Sequence, residues 1–361
     1  FHSRAATTPV PFAAVYPATG TSATGTPRAV HFATFRVMIR RRRLTAALLA
    51  VAVVVMGTVL LAGSLDPRAD DRVTEPSLVQ ADDGLPDPNS LPGAAEVQAL
   101  AATYPLRITR AEVRDGEWAL EMDDTWYYWA NGRLLPDGLR AQADSFVSIR
   151  FYRYRLGPLE EREITPELSR VLEERTARQS SGDTDTRERF NDFLDTLYRI
   201  GSEADAERIV QRIEFLGSAT RVHPLLVAPL ERVERSILAR APYDPELSRF
   251  VSGLASVHGY NWRNIAGTVR RSYHSYGVAV DLVPRSYRGQ WPYWLWAAQG
   301  GVPAWWELPV ESRWEVPQTV IDAFEQNGFI WGGKWLFFDN LHFEYRPESI
   351  HMALNPLNLD P

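Results

Sequence analysis

The chain contains no cysteine and only one lysine. Across its 361 residues, the lack of cysteine excludes disulfides and thiolate metal ligands. Any transition metal must therefore be bound by His, Asp or Glu side chains. Lys334 is the single lysine among 39 basic residues, which we interpret as a general bias towards arginine. The net charge of -6 argues against a nucleic-acid-binding surface, so we expect no nucleic-acid partner.

Charge is also missing from one long apolar run, residues 44–65. The run is long enough to cross the ~30 Å hydrocarbon layer of a membrane as a helix. Arginines occupy positions 40–43 before it and Asp66 follows, so we expect the N-terminus in the cytoplasm and the remainder outside. We predict an uncleaved membrane anchor. A cleaved signal peptide, processed within residues 61–64 to give a secreted protein, is the alternative.

The remainder shows changes of composition that predict a division into segments. Proline and aspartate are frequent in residues 66–92, which favours an extended linker. A stretch of mixed strand and helix patterns follows, which we interpret as a support region. The predicted segments are a disordered or cytoplasmic N-terminus (1–43), a transmembrane helix (44–65), a linker (66–92), a mixed β/helical support region (93–216) and a C-terminal domain (217–361).

Strand patterns come first in the support region. Residues 117–122 and 125–130 are predicted strands, and Asn131-Gly132 is typical of a two-residue hairpin turn. Apolar residues alternate with polar ones over 147–151, which predicts a further half-buried strand.

Helical spacing dominates residues 165–240. Ser202 is a plausible N-cap, and Ile209, Ile213 and Leu216 recur at helical intervals after it. Nine of the twelve tryptophans lie at or beyond Trp262. An aromatic groove and ordinary core packing explain this concentration equally well.

Two pairs of His and Asp residues suggest a metal-dependent hydrolase. Residues 277–283 are a predicted strand on which small Ala279 shares a face with Asp281, leaving space for an ion. His274 lies in the preceding loop, where Gly277 gives the backbone freedom to turn. Zinc held by three protein side chains keeps a fourth position for water, as hydrolysis requires.

The second pair follows a helix that we predict to begin at Pro317 and to end at Gly328. His342 and Glu344 share one face of the next predicted strand, and Asp339 lies in the turn just before it.

Other titratable residues nearby have simpler interpretations. His223, His258 and His351 have no partner at ligand spacing, so we expect structural roles for them. Asp322 and Glu325 are predicted to be solvated on the outer face of the helix after Pro317.

These segments resemble the zinc D-Ala-D-Ala carboxypeptidase and L-Ala-D-Glu endopeptidase family, which shares its fold with the Hedgehog signalling domain. The family's acidic residue three places before a histidine is matched by Asp339 and His342. Residues 328–335 are similar to its Gly-Phe-x-Trp-Gly-Gly-x-Trp run. Its Ser-x-His-x-x-Gly-x-Ala-x-Asp motif is matched at Ser272, His274, Gly277, Ala279 and Asp281.

The resemblance implies a fold, a cofactor and residue roles. We expect an α+β fold with a Hedgehog-like antiparallel sheet and helices, preceded by the transmembrane helix and the mixed β/helical region. His274, Asp281 and His342 would bind Zn²⁺, and Asp339 would be the general base for zinc-bound water. Glu344 is an alternative base, although orienting a ligand is the role we favour for it.

An arginine upstream of the first motif polarises the substrate carbonyl or grips a carboxylate in this family. We select Arg263 for this catalytic role, with Arg270 and Arg271 as rivals.

The resulting hypothesis is a membrane-anchored, extracytoplasmic zinc peptidase acting on the peptide stems of bacterial peptidoglycan. Removal of a terminal D-alanine and cleavage between L-alanine and D-glutamate are the competing reactions. The alternative function is a catalytically inactive cell-wall-binding module that retains the fold.

Overall fold

Antiparallel pairing organises the strands of residues 87–355, the part of the chain that the computed structural model describes. Two four-stranded sheets have the strand orders β1-β2-β3-β4 and β7-β8-β10-β9, and a third sheet pairs β5 with β6. In chain order these strands are β1 (Arg110–Arg114), β2 (Glu117–Met122), β3 (Thr125–Tyr128), β4 (Leu135–Pro136), β5 (Gln211–Phe215), β6 (Ser218–Val222), β7 (Leu254–His258), β8 (Ala279–Pro284), β9 (Phe329–Trp331) and β10 (His342–Tyr345).

Helices pack around these sheets within one compact unit. Several of them have proline in the first turn, where the missing N–H removes no helical hydrogen bond. The α-helices of the described residues are α1 (Ala94–Thr103), α2 (Pro166–Ser180), α3 (Asp192–Tyr198), α4 (Glu203–Ile209), α5 (Pro224–Arg240), α6 (Pro245–Gly253), α7 (Trp294–Gln299), α8 (Gln318–Glu325) and α9 (Pro347–Leu354).

The first sheet is a meander closed by two-residue turns. Asp115 and Gly116 join β1 to β2 with φ of 49° and 77°, and Asp123 and Asp124 join β2 to β3 with φ of 46° and 61°. Turns with positive φ at both positions match the right-handed twist of the strands that they join. The predicted strand 117–122 is confirmed.

Two other predictions in this region are wrong. Asn131 has a φ of 54° inside a 3-10 segment, so the path from β3 to β4 is longer than a two-residue turn. Residues 147–151 form no strand, because Val147 makes only an isolated bridge with Arg189. Ile149 is nevertheless buried, which explains the alternating pattern.

The helix predicted after Ser202 is shorter than expected. Ser202 does cap α4, and its Oγ accepts a hydrogen bond from the N–H of Asp205 at 3.2 Å. Ile213 and Leu216, however, belong to the β5–β6 hairpin, whose turn has positive φ at Leu216 and Gly217. Apolar spacing compatible with a helix was therefore misleading beyond Ile209.

The second sheet is buried on both faces. Ala279, Val280 and Leu282 of β8 have no exposed surface, and Phe343 of β10 is equally buried. The ring of Phe324 from α8 stacks on Phe343 with centroids 3.9 Å apart. Such packing fixes the strand positions closely, because a well-packed core tolerates little displacement.

Glu325 at the end of α8 is not solvated, so that prediction is wrong. The residue is 4% exposed, and its side chain accepts a hydrogen bond from the Tyr154 hydroxyl at 2.6 Å and pairs with Lys334. The chain's only lysine therefore neutralises a buried carboxylate, as such a group requires.

Core packing accounts for much of the tryptophan concentration. Trp294, Trp305 and Trp306 pack with Phe338 in a cluster that also includes Leu172 of α2. All five side chains are buried, so these tryptophans line no open groove.

The predicted fold class is wrong. In place of one Hedgehog-like sheet, the described residues form a mixed α/β arrangement with three antiparallel sheets. No helix within residues 87–355 is long and apolar enough to cross a membrane. The longest of them, α5, has 17 residues and carries several charges, whereas a span needs ~20 mostly apolar residues. The span predicted at 44–65 lies outside the described residues, and the domain boundary at 216/217 stays a prediction.

Candidate metal centre and active site

Strand pairing places His342 directly opposite Asp281. These two residues are Cα partners in the register of β10 and β8. Side chains directly opposite each other in an antiparallel pair project from the same face of the sheet. The sheet therefore aims an imidazole and a carboxylate at one point.

His274 reaches the same point from the 3-10 turn Tyr273–Tyr276, just before β8. The Oγ of Ser272 accepts a hydrogen bond from the N–H of His274 at 3.3 Å and so caps this turn. Gly277 ends the turn with a φ of 66°, and a Cβ there would lie 2.8 Å from the backbone nitrogen of His223. Only glycine fits this position without strain.

The three side chains form a compact buried triangle, hereafter the His-Asp-His cluster. His274 Nε2 lies 3.1 Å from His342 Nδ1 and 3.2 Å from Asp281 Oδ1, and His342 Nδ1 lies 2.9 Å from Asp281 Oδ1. Tetrahedral zinc with bonds of about 2.0–2.1 Å places its ligand atoms roughly 3.3 Å apart. The donor types and spacing of the cluster fit such an ion.

Hydrogen bonds on the far side of each imidazole fix its orientation. His274 Nδ1 lies 2.6 Å from the carbonyl oxygen of Gly259 and must donate to it, which leaves Nε2 free to bind a metal. His342 Nε2 lies 3.3 Å from Glu344 Oε2, which leaves Nδ1 facing the cluster. Metal-binding histidines characteristically donate their other N–H to a carbonyl or a carboxylate.

The electrostatics of the cluster favour a cation. Burial opposes ionisation of Asp281, but His274 and His342 hold the pKa of its carboxyl well below the usual range. Burial also opposes a charge on His342, yet its hydrogen bonds to Asp281 and Glu344 raise its pKa to about 10. A proton on His342 or a divalent ion would each compensate the buried carboxylates.

Asp339 lies beside the His-Asp-His cluster and interacts electrostatically with its three side chains. It is not part of the group of potential metal ligands found among the described residues. Its Oδ1 accepts a hydrogen bond from the N–H of Leu341 at 3.3 Å. Burial, followed by the negative charge of Asp281, raises the pKa of Asp339 to about 6. A carboxyl group with a pKa near neutrality can both accept and return a proton.

Arg263 is exposed, and its backbone is tied to the turn that carries His274. Its N–H donates to Ser275 Oγ at 2.9 Å, and its carbonyl accepts from the N–H of Ser272 at 3.0 Å. The rival arginines are engaged elsewhere, Arg270 with Asp185 at 2.8 Å and Arg271 with Asp195. Arg263 thus remains our choice for the substrate-binding arginine, and its role stays a prediction.

Two aromatic residues near the site were missed from sequence. Tyr293 is the partner of Asp339 in an isolated antiparallel bridge, and burial together with the charge of Asp339 raises its pKa. The ring of Trp335 lies 5.3 Å from that of His342 and stacks on Tyr152 at 5.0 Å. The family-like run 328–335 could have indicated Trp335, whereas no motif pointed to Tyr293.

The His-Asp-His cluster is a group of buried side chains that could hold a metal ion. Residues 266–345 match the family model described as D-alanyl-D-alanine carboxypeptidase, which confirms the family resemblance and supports peptidase activity. Residues 96–151 match a second family model, described only as a domain of unknown function. Comparison with curated proteins and with solved structures gives no match.

Proposed function

We propose that this protein is a zinc-dependent peptidase that cleaves the peptide stems of bacterial peptidoglycan. The observation that carries the proposal is the buried His-Asp-His cluster with Asp339 beside it, inside the segment that matches the carboxypeptidase family. Two imidazoles and one carboxylate suit zinc, whereas magnesium and calcium prefer oxygen ligands alone.

We propose a role for each of these side chains. Zinc, when bound, supplies Lewis acidity that polarises a carbonyl and makes water a stronger acid. Asp339 accepts the proton of the attacking water and returns it to the nitrogen of the leaving amine. A pKa near 6 leaves its carboxylate ionised at neutral pH. Arg263, exposed next to the His274 turn, binds a carboxylate or carbonyl of the substrate.

The proposed substrate also supports a proposed location. Peptidoglycan stems lie outside the cytoplasmic membrane, so we propose that the catalytic residues act there.

Incubation of the zinc-loaded full-length chain with purified muropeptides, followed by mass spectrometry, tests the proposal. We expect cleavage that a chelator abolishes. Asp339→Asn should lower kcat by about 10²–10⁴-fold, the usual contribution of a general base, while zinc binding persists. Asp322→Asn makes the same chemical change on α8, away from the cluster, and should change neither kcat nor zinc binding.

The product masses also identify the bond. Release of one D-alanine indicates carboxypeptidase activity, and separation of L-alanine from D-glutamate indicates endopeptidase activity. Intact muropeptide that nevertheless binds the zinc-loaded protein would contradict the proposal and would indicate a non-catalytic wall-binding module.

A further inference from the structure

A series of buried charged side chains, linked by ion pairs, begins at the Nε2 side of His342. Glu344 faces the Nε2 of His342 with its Oε2 at 3.3 Å, and its Oε1 accepts from Arg346 Nη1 at 3.0 Å. The Nε of Arg346 donates to Glu348. Glu344, Arg346 and Glu348 are only 4%, 2% and 2% exposed. We refer to these three residues as the relay.

The relay is held from its other end by residues that precede the peptidase match. Arg346 Nη2 donates to the carbonyl oxygen of Arg150 at 2.8 Å. The Tyr104 hydroxyl donates to Glu348 Oε2 at 3.4 Å and lies 3.5 Å from the hydroxyl of Tyr198. Tyr104 is the C-cap of α1, which packs against α9, the helix that carries Glu348.

This arrangement leaves Arg346 little freedom. A buried charge without partners costs several kcal/mol, so each nitrogen of the guanidinium needs an acceptor. Nε, Nη1 and Nη2 of Arg346 all donate, and each has a different acceptor residue. The planar fork therefore fixes the carboxylate of Glu344, which in turn fixes the ring of His342.

The other buried ion pair of this region lacks that connection. Lys334 and Glu325 are comparably buried, with side chains 9% and 5% exposed. Their further hydrogen bonds go to Tyr154, to Gly157 and to the carbonyl oxygen of Arg155, and none of these reaches a residue of the His-Asp-His cluster. This pair is a matched comparison for the relay.

We propose that Arg346 and Glu348 are positioning residues that, held by Tyr104 and Arg150, orient His342 through Glu344 and so set the affinity for zinc. Part of segment 93–216 thereby supports the metal centre through residues behind one of its ligands. The inference rests on the proposed function, because it requires that zinc binds to the His-Asp-His cluster.

Zinc dissociation constants of the full-length chain, measured by competition with a chromophoric chelator, test the inference. Arg346→Lys retains the positive charge but loses the planar guanidinium and its separate donor groups. We expect zinc affinity to fall about 10–100-fold, as when other residues that orient metal-binding histidines are changed. Tyr104→Phe removes one hydroxyl at the far end of the relay, so its loss of affinity should be smaller. Lys334→Met should lower the melting temperature and leave zinc affinity unchanged.

Each outcome has a distinct meaning. Zinc affinity of Arg346→Lys within twofold of the wild type would overturn the inference. An equal loss in Lys334→Met would also overturn it, because general destabilisation would then explain the result. A wild-type chain that binds no zinc would instead refute the proposed function.

Discussion

The two four-stranded sheets differ in how their neighbouring strands are connected. In the first sheet each strand pairs with the next one in sequence, and two-residue turns join β1 to β2 and β2 to β3. In the second, β8 ends at Pro284, while its neighbour β10 begins only at His342. The intervening segment includes α7, α8 and β9, and α8 packs against β9 and, through Phe324, against β10.

This difference has a chemical consequence. β1 of the first sheet has no buried residue, although β2 has five of six, whereas in the second sheet β9 is buried throughout, β8 at four of six residues and β10 at three of four. Charged groups in such a sheet are shielded from water, so their mutual interactions are stronger than at a surface. In the second sheet this shielded environment surrounds Asp281 and His342, which His274 joins from the turn before β8. Substitutions in the two sheets should thus have different effects.

Removal of a ligand from the second sheet should have the largest effect. Asp281→Ala removes one of the three side chains of the cluster. We expect zinc affinity to fall more than about 100-fold, because changes to residues that only hydrogen-bond to metal ligands lower metal affinity by about 10–100-fold. Peptide cleavage should drop to background. Isothermal titration of chelator-stripped protein with zinc measures the loss, and Glu112→Ala on exposed β1 is the control. Equal zinc binding by both variants would contradict the placement of the zinc site in the second sheet.

Truncation of one core residue in each sheet separates the effect on stability from the effect on zinc binding. Phe343→Ala should lower the free energy of unfolding by about 3–5 kcal/mol and Leu120→Ala by about 2–5 kcal/mol, since both side chains are fully buried. Phe343 lies between His342 and Glu344, so only its loss should also weaken zinc binding. Urea unfolding and zinc titration give the two quantities. Weaker zinc binding by Leu120→Ala alone would contradict this expectation.

A smaller effect is expected for the exposed arginine next to the second sheet. Arg263→Lys should raise KM about tenfold, which corresponds to the loss of one charge-assisted hydrogen bond to the substrate. Zinc affinity should not change. Steady-state kinetics with a stem peptide measures KM, and Arg285→Lys is an exposed control. An unchanged KM for Arg263→Lys would exclude a direct role in substrate binding.

The smallest effect should come from a turn of the first sheet. Asp124 has a φ of 61°, and Asp124→Gly should increase stability by about 1 kcal/mol because glycine adopts this conformation without steric cost. Activity and zinc affinity should be unaffected. Thermal unfolding provides the measurement, and a lower melting temperature would be inconsistent with relief of strain in the turn.

The elements around the cluster could be predicted because their signals are local. Strand β8, helix α8 and the shared face of His342 and Glu344 were each indicated by spacing within a few residues. Pairing of β8 with β10 then brought His274, Asp281 and His342 together. Their roles as ligands, and those of Asp339 and Arg263, stay predictions.

The errors arose where distant residues or unusual backbone angles decide the structure. Ile213 and Leu216 fit a helical pattern, but positive φ at Leu216 turns the chain into a hairpin. Glu325 looked solvated because its partners, Tyr154 and Lys334, come from other segments. The relay through Arg346 depends likewise on contacts that no local spacing reveals.

X-ray absorption at the zinc edge, on the protein loaded with one equivalent of zinc, tests whether His274 and His342 bind the ion. We expect two imidazole nitrogens among light-atom ligands at about 2.0–2.2 Å, and their loss when His274 and His342 are replaced by alanine. A hydrated ion without imidazole ligands, or a spectrum that the double substitution leaves unchanged, would contradict it.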